Sequence, residues 1–306
     1  MQNNKIIYIT AVGLSGTTLL DTILGSRKGV FSAGELMFFV KKGLMESQLC
    51  ACGSSVPDCE VWGQVEKEWD RQLSPLEYSE MSQWVHSKKR LLKIHRELSS
   101  PGPQLRLFLE DTRELYKTIF RVTACHTIVD SSKAPVRMLL LREIGFDVTV
   151  IHMTRRFGDV LNSNKKSAKK DLSIGREAEV VPRKTSRVFM DWVVKNAIIT
   201  ALSSSFPAVR LKYEELVHNS EKTLLKLADG DKIFIEKLQN RGPFYPRHLV
   251  AGNKVRMLGE LWIADRPMNN GYSRLSLTDK ALSLPMDQIY KLMPGYTERR
   301  ITKKIQ

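Results

Sequence analysis

The chain has 306 residues, of which 42% are hydrophobic and 26% are charged, and its formal net charge is +15. This composition is ordinary for a globular protein and provides enough apolar material for one large core or two smaller ones. No run of about eighteen apolar residues occurs, so we expect no membrane-spanning helix. The first apolar run starts at Lys5, which leads us to expect no signal peptide and a cytoplasmic protein.

The positive excess is typical of proteins with an anionic partner, although it also serves solubility. Nucleic acid, a membrane surface and a multiply charged small molecule are the candidate partners. No RNA-binding signature, zinc finger or heptad array occurs, so we expect no nucleic acid and no stable membrane insertion. The sequence indicates no particular oligomeric state.

Apolar runs of strand length alternate with stretches that have helical spacing. The predicted strands are residues 6–11, 126–130, 148–153 and 208–213, and the helices predicted after the first three are 17–24, 135–143 and about 159–167. This alternation predicts an α/β fold of three α/β/α layers, in which a central parallel sheet is covered by helices on both faces.

A helical insertion is predicted between the first helix and the second strand, at about residues 63–123. Ser74 and Pro75 are typical of a helix start within it. The basic stretch 165–187 is either a mobile flap or a solvated loop. Because no long linker and no internal repeat occurs, we expect one domain over residues 1–306.

Three of the four cysteines, Cys50, Cys52 and Cys59, lie close together, whereas Cys125 is distant. Three thiols are a possible set of zinc ligands, but the segment has no C-x-x-C pair and no nearby histidine. A disulfide that involves Cys59 is an alternative. For a cytoplasmic chain we favour reduced thiols in a structured loop and predict no metal site.

The segment Gly13-Leu14-Ser15-Gly16-Thr17-Thr18 joins the first strand to the first helix. Unpaired N–H groups at a helix start attract anions, and the helix dipole adds to that attraction. Gly13 and Gly16 permit close approach of the backbone, and Ser15, Thr17 and Thr18 add hydroxyl donors. The segment therefore predicts a phosphate site, the alternative being a tight turn that binds nothing.

The segment does not fit the loop that binds ATP. The pattern G-x-x-x-x-G-K-[ST], aligned on Gly16, requires glycine at Ala11 and lysine at Thr17. That lysine, with Mg²⁺, meets the β- and γ-phosphates of ATP. A phosphosulfate carries one negative charge less at its reacting end, so a loop without lysine suits it better.

A second anion pattern follows the third predicted strand, where Arg155 precedes a helix that carries Asp159 and Ser163. Together the two patterns resemble the sulfotransferases that use 3′-phosphoadenosine 5′-phosphosulfate (PAPS). The resemblance implies that Ser15–Thr18 bind the 5′-phosphosulfate and that Arg155 and Ser163 bind the 3′-phosphate.

Further segments between Lys5 and about Trp262 are similar to that family. The "LKYEELV" segment implies that Tyr213 lies near the adenine. The "HLVAGNKVR" segment resembles a C-terminal segment of bacterial members and implies contacts from Gly252, Asn253 and Arg256 near the 3′-phosphate. The cysteine segment from Cys50 to Trp62 also looks like one found in bacterial members.

The resemblance further implies two catalytic residues. Glu35 lies twenty residues after Ser15, similar to the general base of the tyrosylprotein sulfotransferases, and Lys133 matches a lysine beside the transferring group. Their structural alternatives are a helix-start charge and a solvated lysine. Leu14 departs from the pattern, because relatives carry a basic or polar residue there. No role is assigned to His126, His152 or His218.

The predicted activity is transfer of a sulfuryl group from PAPS to a hydroxyl or amine of a small-molecule acceptor, with release of 3′,5′-ADP and no metal in the chemistry. Two alternatives stay open. One is a small-molecule kinase of the P-loop type, which the missing lysine disfavours. The other is a catalytically silent nucleotide-binding module, which Leu14 and the net charge of +15 favour.

Overall fold

The structure is a computed structural model that describes residues 4–87, 90–167, 169, 171, 179–228, 230–264 and 275–293. Its centre is a sheet of five parallel strands. The strands are β1 (Lys5–Ala11), β2 (Val30–Gly34), β3 (Thr127–Lys133), β4 (Asp147–Thr154) and β5 (Ala208–Lys212), in the spatial order β2-β3-β1-β4-β5.

Strand β1 occupies the middle of the sheet, where Ile7 pairs with Val129 of β3 on one side and with Thr149 of β4 on the other. Every side chain from Ile6 to Ala11 is buried. Strands covered on both faces read as continuous apolar runs, which is why this segment shows no alternation of polar and apolar residues.

Helices cover both faces of the sheet. They are α1 (Thr17–Leu24), α2 (Glu60–Glu68), α3 (Pro75–Val85), α4 (Leu91–Glu97), α5 (Pro103–Thr123), α6 (Pro135–Glu143), α7 (Phe157–Asn164), α8 (Thr185–Ser203), α9 (Tyr213–His218), α10 (Ser220–Ala228), α11 (Lys232–Gln239) and α12 (Leu277–Leu292). A 3₁₀ turn (Leu36–Phe38), a π-helical stretch (Phe39–Met45) and a second 3₁₀ turn (Lys254–Met257) complete the described elements.

Two cores lie on opposite faces of the sheet. Ile6 and Tyr8 of β1 point into the core shared with the helices from α2 to α6, whereas Ile7 and Ile9 point into the core shared with α1 and α9–α11. A third cluster packs α7 against α8 and α12 around Phe157. The three layers are those expected for a parallel sheet.

The predicted α/β fold with its central parallel sheet and helical insertion is confirmed. Strand β2 was not predicted, because this short edge strand consists of Val30–Gly34 and ends in small residues of low strand propensity. The helix expected to reach about residue 167 ends at Asn164.

Within the basic stretch 165–187, positions 168, 170 and 172–178 lie outside the described residues, and α8 begins inside the stretch at Thr185. In the part of the chain that the structure describes, no helix combines the length and the apolar character needed to cross a bilayer.

Candidate active site

The candidate residues follow the carboxyl ends of all five strands. Ligands of open parallel sheets bind at that edge, where connections leave in opposite directions. Across the sheet, from β2 to β5, the order of the residues is Glu35, Lys133, the loop Gly13–Thr18, Arg155 and Tyr213. The connection after β1 leads to β2 and that after β4 leads to β5, so the connections diverge between β1 and β4.

The loop after β1 leaves donors open for a ligand. Helix α1 begins at Thr17 after Gly16, which provides no side-chain cap, and its first turn has no acidic residue. Its first N–H groups therefore have no partner within the helix. Ser15 Oγ is buried and has no hydrogen-bond partner among the described residues. An anionic group in this loop would supply the missing acceptors.

Gly16 is required by two features of the loop. Its φ of 87° lies in the left-handed region, and a Cβ atom there would lie 2.4 Å from Cδ2 of Tyr213. Only glycine tolerates both the backbone conformation and this contact. Leu14 also has a positive φ, 66°, and its side chain is exposed.

Arg155 is brought to the same loop from the end of β4. Its Nη1 donates a hydrogen bond of 2.8 Å to the Leu14 carbonyl oxygen, and its Cζ lies 4.5 Å from the ring centroid of Tyr213. Arg155 Nε is buried with no hydrogen-bond partner among the described residues. Burial raises the pKa of Tyr213, so this ring is a neutral surface beside the guanidinium.

The backbone N–H groups at the start of α7 already donate hydrogen bonds to carboxylates. The Phe157 N–H donates to Asp287 Oδ1 at 2.8 Å, and the Arg156 N–H donates to Glu214 Oε1 at 3.1 Å. Asp159 adds an acidic side chain in the first turn. Ser163 lies half-buried near the other end of the helix. Any anion bound on this side must therefore rely on side chains.

Glu35 and Lys133 form an ion pair between Glu35 Oε1 and Lys133 Nζ, with side-chain exposures of 11% and 17%. Lys133 ends β3 with a φ of 66°, a conformation that a lysine adopts only when its surroundings impose it. Thr10 Oγ1 donates to the Lys133 carbonyl oxygen at 3.2 Å, which ties that turn to β1. The two predicted catalytic residues are thus held together and nearly enclosed.

A buried polar network beneath Lys133 was not predicted. Asp130 accepts a 2.8 Å bond from Arg137 Nε and a 2.9 Å bond from the Ser132 N–H, and it is also bonded to the Tyr116 hydroxyl. Both charged side chains are fully buried. The network fixes the end of β3, and Ser132 Oγ in turn accepts a 3.0 Å bond from the Met37 N–H.

Asp21 anchors α1 below the loop. Ser32 of β2 and Ser131 of β3 each donate a 2.6 Å hydrogen bond to one of its carboxylate oxygens. Burial is the main cause that raises the pKa of Asp21 to about 7, although both serine bonds oppose the shift. The helix that presents the open N–H groups is therefore fixed to two strands by one carboxyl group.

The segment after His248 runs along β2. The Val250 N–H donates to the Ala33 carbonyl oxygen at 3.0 Å, and the Glu35 N–H donates to the Val250 carbonyl oxygen at 2.8 Å. A Cβ atom on Gly252 would lie 3.1 Å from Glu35 Oε1, so Gly252 lies directly against the candidate base.

Asn253 and Arg256 have structural contacts. Asn253 caps the turn Lys254–Met257 by accepting a 3.1 Å bond from the Val255 N–H. Arg256 is fully buried and donates to the carbonyl oxygens of Leu49 at 3.1 Å and Gly252 at 3.4 Å. The structure brings Gly252 to Glu35 but directs the Arg256 guanidinium at the protein backbone.

An apolar cavity of about 150 Å³ lies on the insertion side of the sheet, between α4, the start of α6 and α8. Its lining includes Pro135 and Val136, which follow Lys133 closely, together with Leu91, Met190 and Val194. All four cysteines are free thiols. The sequence reasoning missed His248, whose ring lies beside Cys59 although the two are 189 residues apart.

No protein-family model matches this chain, and no curated protein matches it. Among solved structures, the sulfotransferase domain of the olefin synthase from Synechococcus PCC 7002 shares 18% identity, with a TM-score of 0.45 over 99% of this chain and 94% of that one. The sulfotransferase domain from the curacin biosynthetic pathway shares 19%, with a TM-score of 0.46 over 100% and 97%. A sulfotransferase from Mycobacterium tuberculosis H37Rv shares 12%, with a TM-score of 0.44 over 94% and 76%. At these values the likenesses assign no residue role to this chain.

Proposed function

We propose that this chain transfers a sulfuryl group from PAPS to a hydroxyl or amine of a small-molecule acceptor and releases 3′,5′-ADP. The main support for this proposal is the order in which the candidate side chains and the loop follow one another along the carboxyl ends of the strands. From β2 to β5 a carboxylate, a lysine, an anion loop, an arginine and an aromatic ring follow one another. An acceptor, a sulfuryl group, a 5′-phosphate, a 3′-phosphate and an adenine would need the same order.

The loop suits the 5′-phosphosulfate of the donor. Its open N–H groups and the unpartnered Ser15 hydroxyl are neutral donors, which match a group of lower charge than a triphosphate. The position that holds lysine in ATP-binding loops is Thr17, so the cation nearest the transferred group is Lys133, which is contributed by the neighbouring strand. Arg155 would pair with the 3′-phosphate through its guanidinium, whose Nε has no hydrogen-bond partner among the described residues.

PAPS supplies the activated sulfuryl group, and the chain supplies proton transfer and charge stabilisation. Glu35 accepts the proton of the acceptor hydroxyl or amine while the acceptor atom bonds to sulfur. The bond between sulfur and the bridging oxygen of the 5′-phosphate breaks, and its electron pair remains on 3′,5′-ADP. Lys133 and the loop N–H groups stabilise the charge that develops on the sulfuryl and leaving oxygens.

The apolar cavity beside Pro135 supports an acceptor with an apolar part. Pro135 and Val136 in its lining directly follow the turn that carries Lys133. Its mouth contains exposed Met190 and Val194 of α8. An acceptor bound there would lie close to the Lys133 turn.

A transfer assay tests the proposal. The full chain is incubated with sulfur-labelled PAPS and a library of hydroxyl and amine acceptors, and labelled product and 3′,5′-ADP are measured. We expect transfer to at least one acceptor class. Turnover of ATP with Mg²⁺ and none of PAPS would indicate a kinase instead, and tight 3′,5′-ADP binding without any transfer would indicate a silent module.

Glu35→Gln separates catalysis from binding. The amide retains an oxygen for Lys133 but accepts no proton, so turnover should fall by about 10²–10⁴-fold while 3′,5′-ADP affinity stays unchanged. Calorimetry measures the affinity, and the transfer assay measures turnover. Full activity of Glu35→Gln would remove Glu35 from the mechanism.

A further inference from the structure

Four potential metal ligands meet beside the insertion, three from the loop before α2 and one from a segment 189 residues beyond Cys59 along the chain. They are the side chains of Cys50, Cys52, Cys59 and His248, hereafter the Cys–His cluster, and their ligand atoms all lie within 4.8 Å of one another. We propose that the Cys–His cluster binds one zinc ion in a structural site.

The three distances from Cys59 Sγ to the other ligand atoms match the edges of a tetrahedron. Cys59 Sγ lies 3.7 Å from the Sγ atoms of both Cys50 and Cys52, and 3.4 Å from Nδ1 of His248. Around a tetrahedral zinc ion with Zn–S distances of about 2.3 Å, two sulfur ligands lie about 3.8 Å apart, and a sulfur and an imidazole nitrogen about 3.6 Å. A disulfide would account for two of the thiols but not for the histidine.

The chain around the cluster is shaped to present the thiols. The Cys50 N–H donates to the Ser54 carbonyl oxygen at 2.8 Å, and the Gly53 N–H donates to the Cys50 carbonyl oxygen at 2.9 Å. Gly53, with a φ of 93°, closes this tight turn between the first two thiols and Ser54. Cys59 directly precedes α2, where the positive end of the helix dipole favours a thiolate.

The histidine is oriented by its neighbours in the way that metal-bound histidines are. While Nδ1 faces the thiols, Nε2 lies 3.5 Å from Oε1 of Glu60, and a carboxylate on the second ring nitrogen fixes the tautomer that leaves the first free for metal. The His248 carbonyl oxygen accepts a 2.6 Å bond from Trp62 Nε1, and the Phe31 ring stacks on the imidazole.

Burial indicates a closed structural site that is exposed to solvent at Cys52. Cys50 is fully buried and Cys59 nearly so, whereas Cys52 is exposed and forms the rim. A set of three cysteines and one histidine occupies all four positions of tetrahedral zinc and leaves none for a substrate. Binding releases the thiol protons to solvent, so the affinity should rise with pH.

The bound ion would fasten the segment after His248 to the loop that carries Cys50. That segment includes Val250, whose carbonyl oxygen holds the Glu35 N–H, and its Leu249 carbonyl oxygen accepts a 3.2 Å bond from the Ala51 N–H. Zinc would therefore stabilise the edge of the sheet without taking part in chemistry, and its presence does not depend on the proposed function.

Metal analysis of the full chain tests the proposal. Protein expressed in zinc-containing medium and purified without chelator should contain about one zinc ion per chain, as measured by inductively coupled plasma mass spectrometry. Cys59→Ser and His248→Ala should lose nearly all of it. Cys125→Ser is the matched control because Cys125 is a buried thiol outside the cluster, and it should retain the metal.

Cobalt substitution keeps the test decisive if a buried variant does not fold. Wild-type chain stripped of metal and given Co²⁺ should show the visible bands of tetrahedral cobalt and thiolate-to-cobalt charge transfer, and Cys52→Ser, at the exposed ligand, should weaken the charge transfer. A chelator should lower the midpoint of thermal unfolding of wild type and Cys125→Ser. No tetrahedral spectrum, a disulfide between cluster cysteines in fresh protein, or zinc retained by His248→Ala would overturn the proposal.

Discussion

Helices α1 and α7 follow neighbouring central strands, β1 and β4, yet their N-termini are built in opposite ways. Helix α1 starts after Gly16 with no cap and no acidic first turn. Helix α7 starts with its Phe157 N–H bonded to Asp287 and with Asp159 in its first turn. The first helix therefore offers backbone donors to an anion, whereas the second has already filled them with carboxylates.

A strand-to-helix junction can therefore bind an anion through its backbone only where its first N–H groups are not already bonded to carboxylates. At α7 the Arg155 guanidinium provides a side-chain donor instead, and it reaches back to the Leu14 carbonyl oxygen. The two halves of the candidate site thus bind by different means, one through backbone and one through a side chain.

The largest effect is expected at Asp21, which holds the open helix in place. Its pKa of about 7 lies above the ordinary 3.8, so the folded chain keeps a proton that the unfolded chain releases as the pH rises. The free energy of unfolding should therefore decrease between pH 4 and 8, by up to about 4 kcal/mol from this group. Asp21→Asn cannot ionise and should lose that part of the slope.

Denaturant unfolding at several pH values measures this contribution as the difference between wild type and Asp21→Asn. Burial lowers the pKa of His86 and His152 to about 3, so these two groups make the free energy of unfolding rise with pH. Because both proteins contain them, this rise cancels in the difference. Asp70→Asn, at an exposed position, is the control and should give a flat difference. A flat difference for Asp21→Asn as well would show that folding does not raise the pKa of Asp21.

The sequence alone predicts those parts of the candidate site whose residues are close together along the chain. Gly13–Thr18 and Arg155 each lie within a short local pattern, and the structure brings them together because parallel strands place their following loops on one edge. No short motif links Asp21 to Ser131, because the two are 110 residues apart. The same holds for Cys59 and His248, which are 189 residues apart. Those pairs are set by the topology of the chain.

Gly16→Ala should abolish the backbone half of the site. The added Cβ would lie 2.4 Å from Tyr213 Cδ2, at a φ of 87° that disfavours alanine, so the first turn of α1 must move. We expect the dissociation constant of 3′,5′-ADP to rise by about 100-fold or more, or about 3 kcal/mol.

Gly13→Ala is the matched control for that change, because a Cβ atom at Gly13 would meet nothing within 4 Å. Its affinity loss should be less than about tenfold. Calorimetry and a thermal unfolding scan on both variants separate loss of binding from loss of fold. Equal affinity in Gly16→Ala and wild type would show that the loop is only a turn.

Arg155→Ala should weaken nucleotide binding by the side-chain half of the candidate site. Loss of a charged hydrogen bond to a phosphate should cost about 1.5–3 kcal/mol in 3′,5′-ADP affinity. Arg156→Ala removes the same charge from the exposed neighbour and should change affinity little. Adenosine 5′-phosphate, which lacks the 3′-phosphate, should bind wild type and Arg155→Ala alike. If both nucleotides lost affinity equally, Arg155 would serve the loop through Leu14 and not the 3′-phosphate.

Leu14→Lys tests whether a basic side chain in the loop strengthens nucleotide binding. We expect the smallest change in affinity from this substitution. The Leu14 side chain is 38% exposed and its φ of 66° is unchanged by a lysine, so the substitution adds charge without a new backbone requirement. A flexible, solvated ammonium near the 5′-side should raise 3′,5′-ADP affinity by about three- to tenfold at low salt, and less at about 0.5 M salt because exposed charges are screened. Leu14→Met is the uncharged control. A lysine that left affinity unchanged at low salt would indicate that the open N–H groups of α1 already satisfy the anion, and the backbone half of the site would then be complete without a basic side chain.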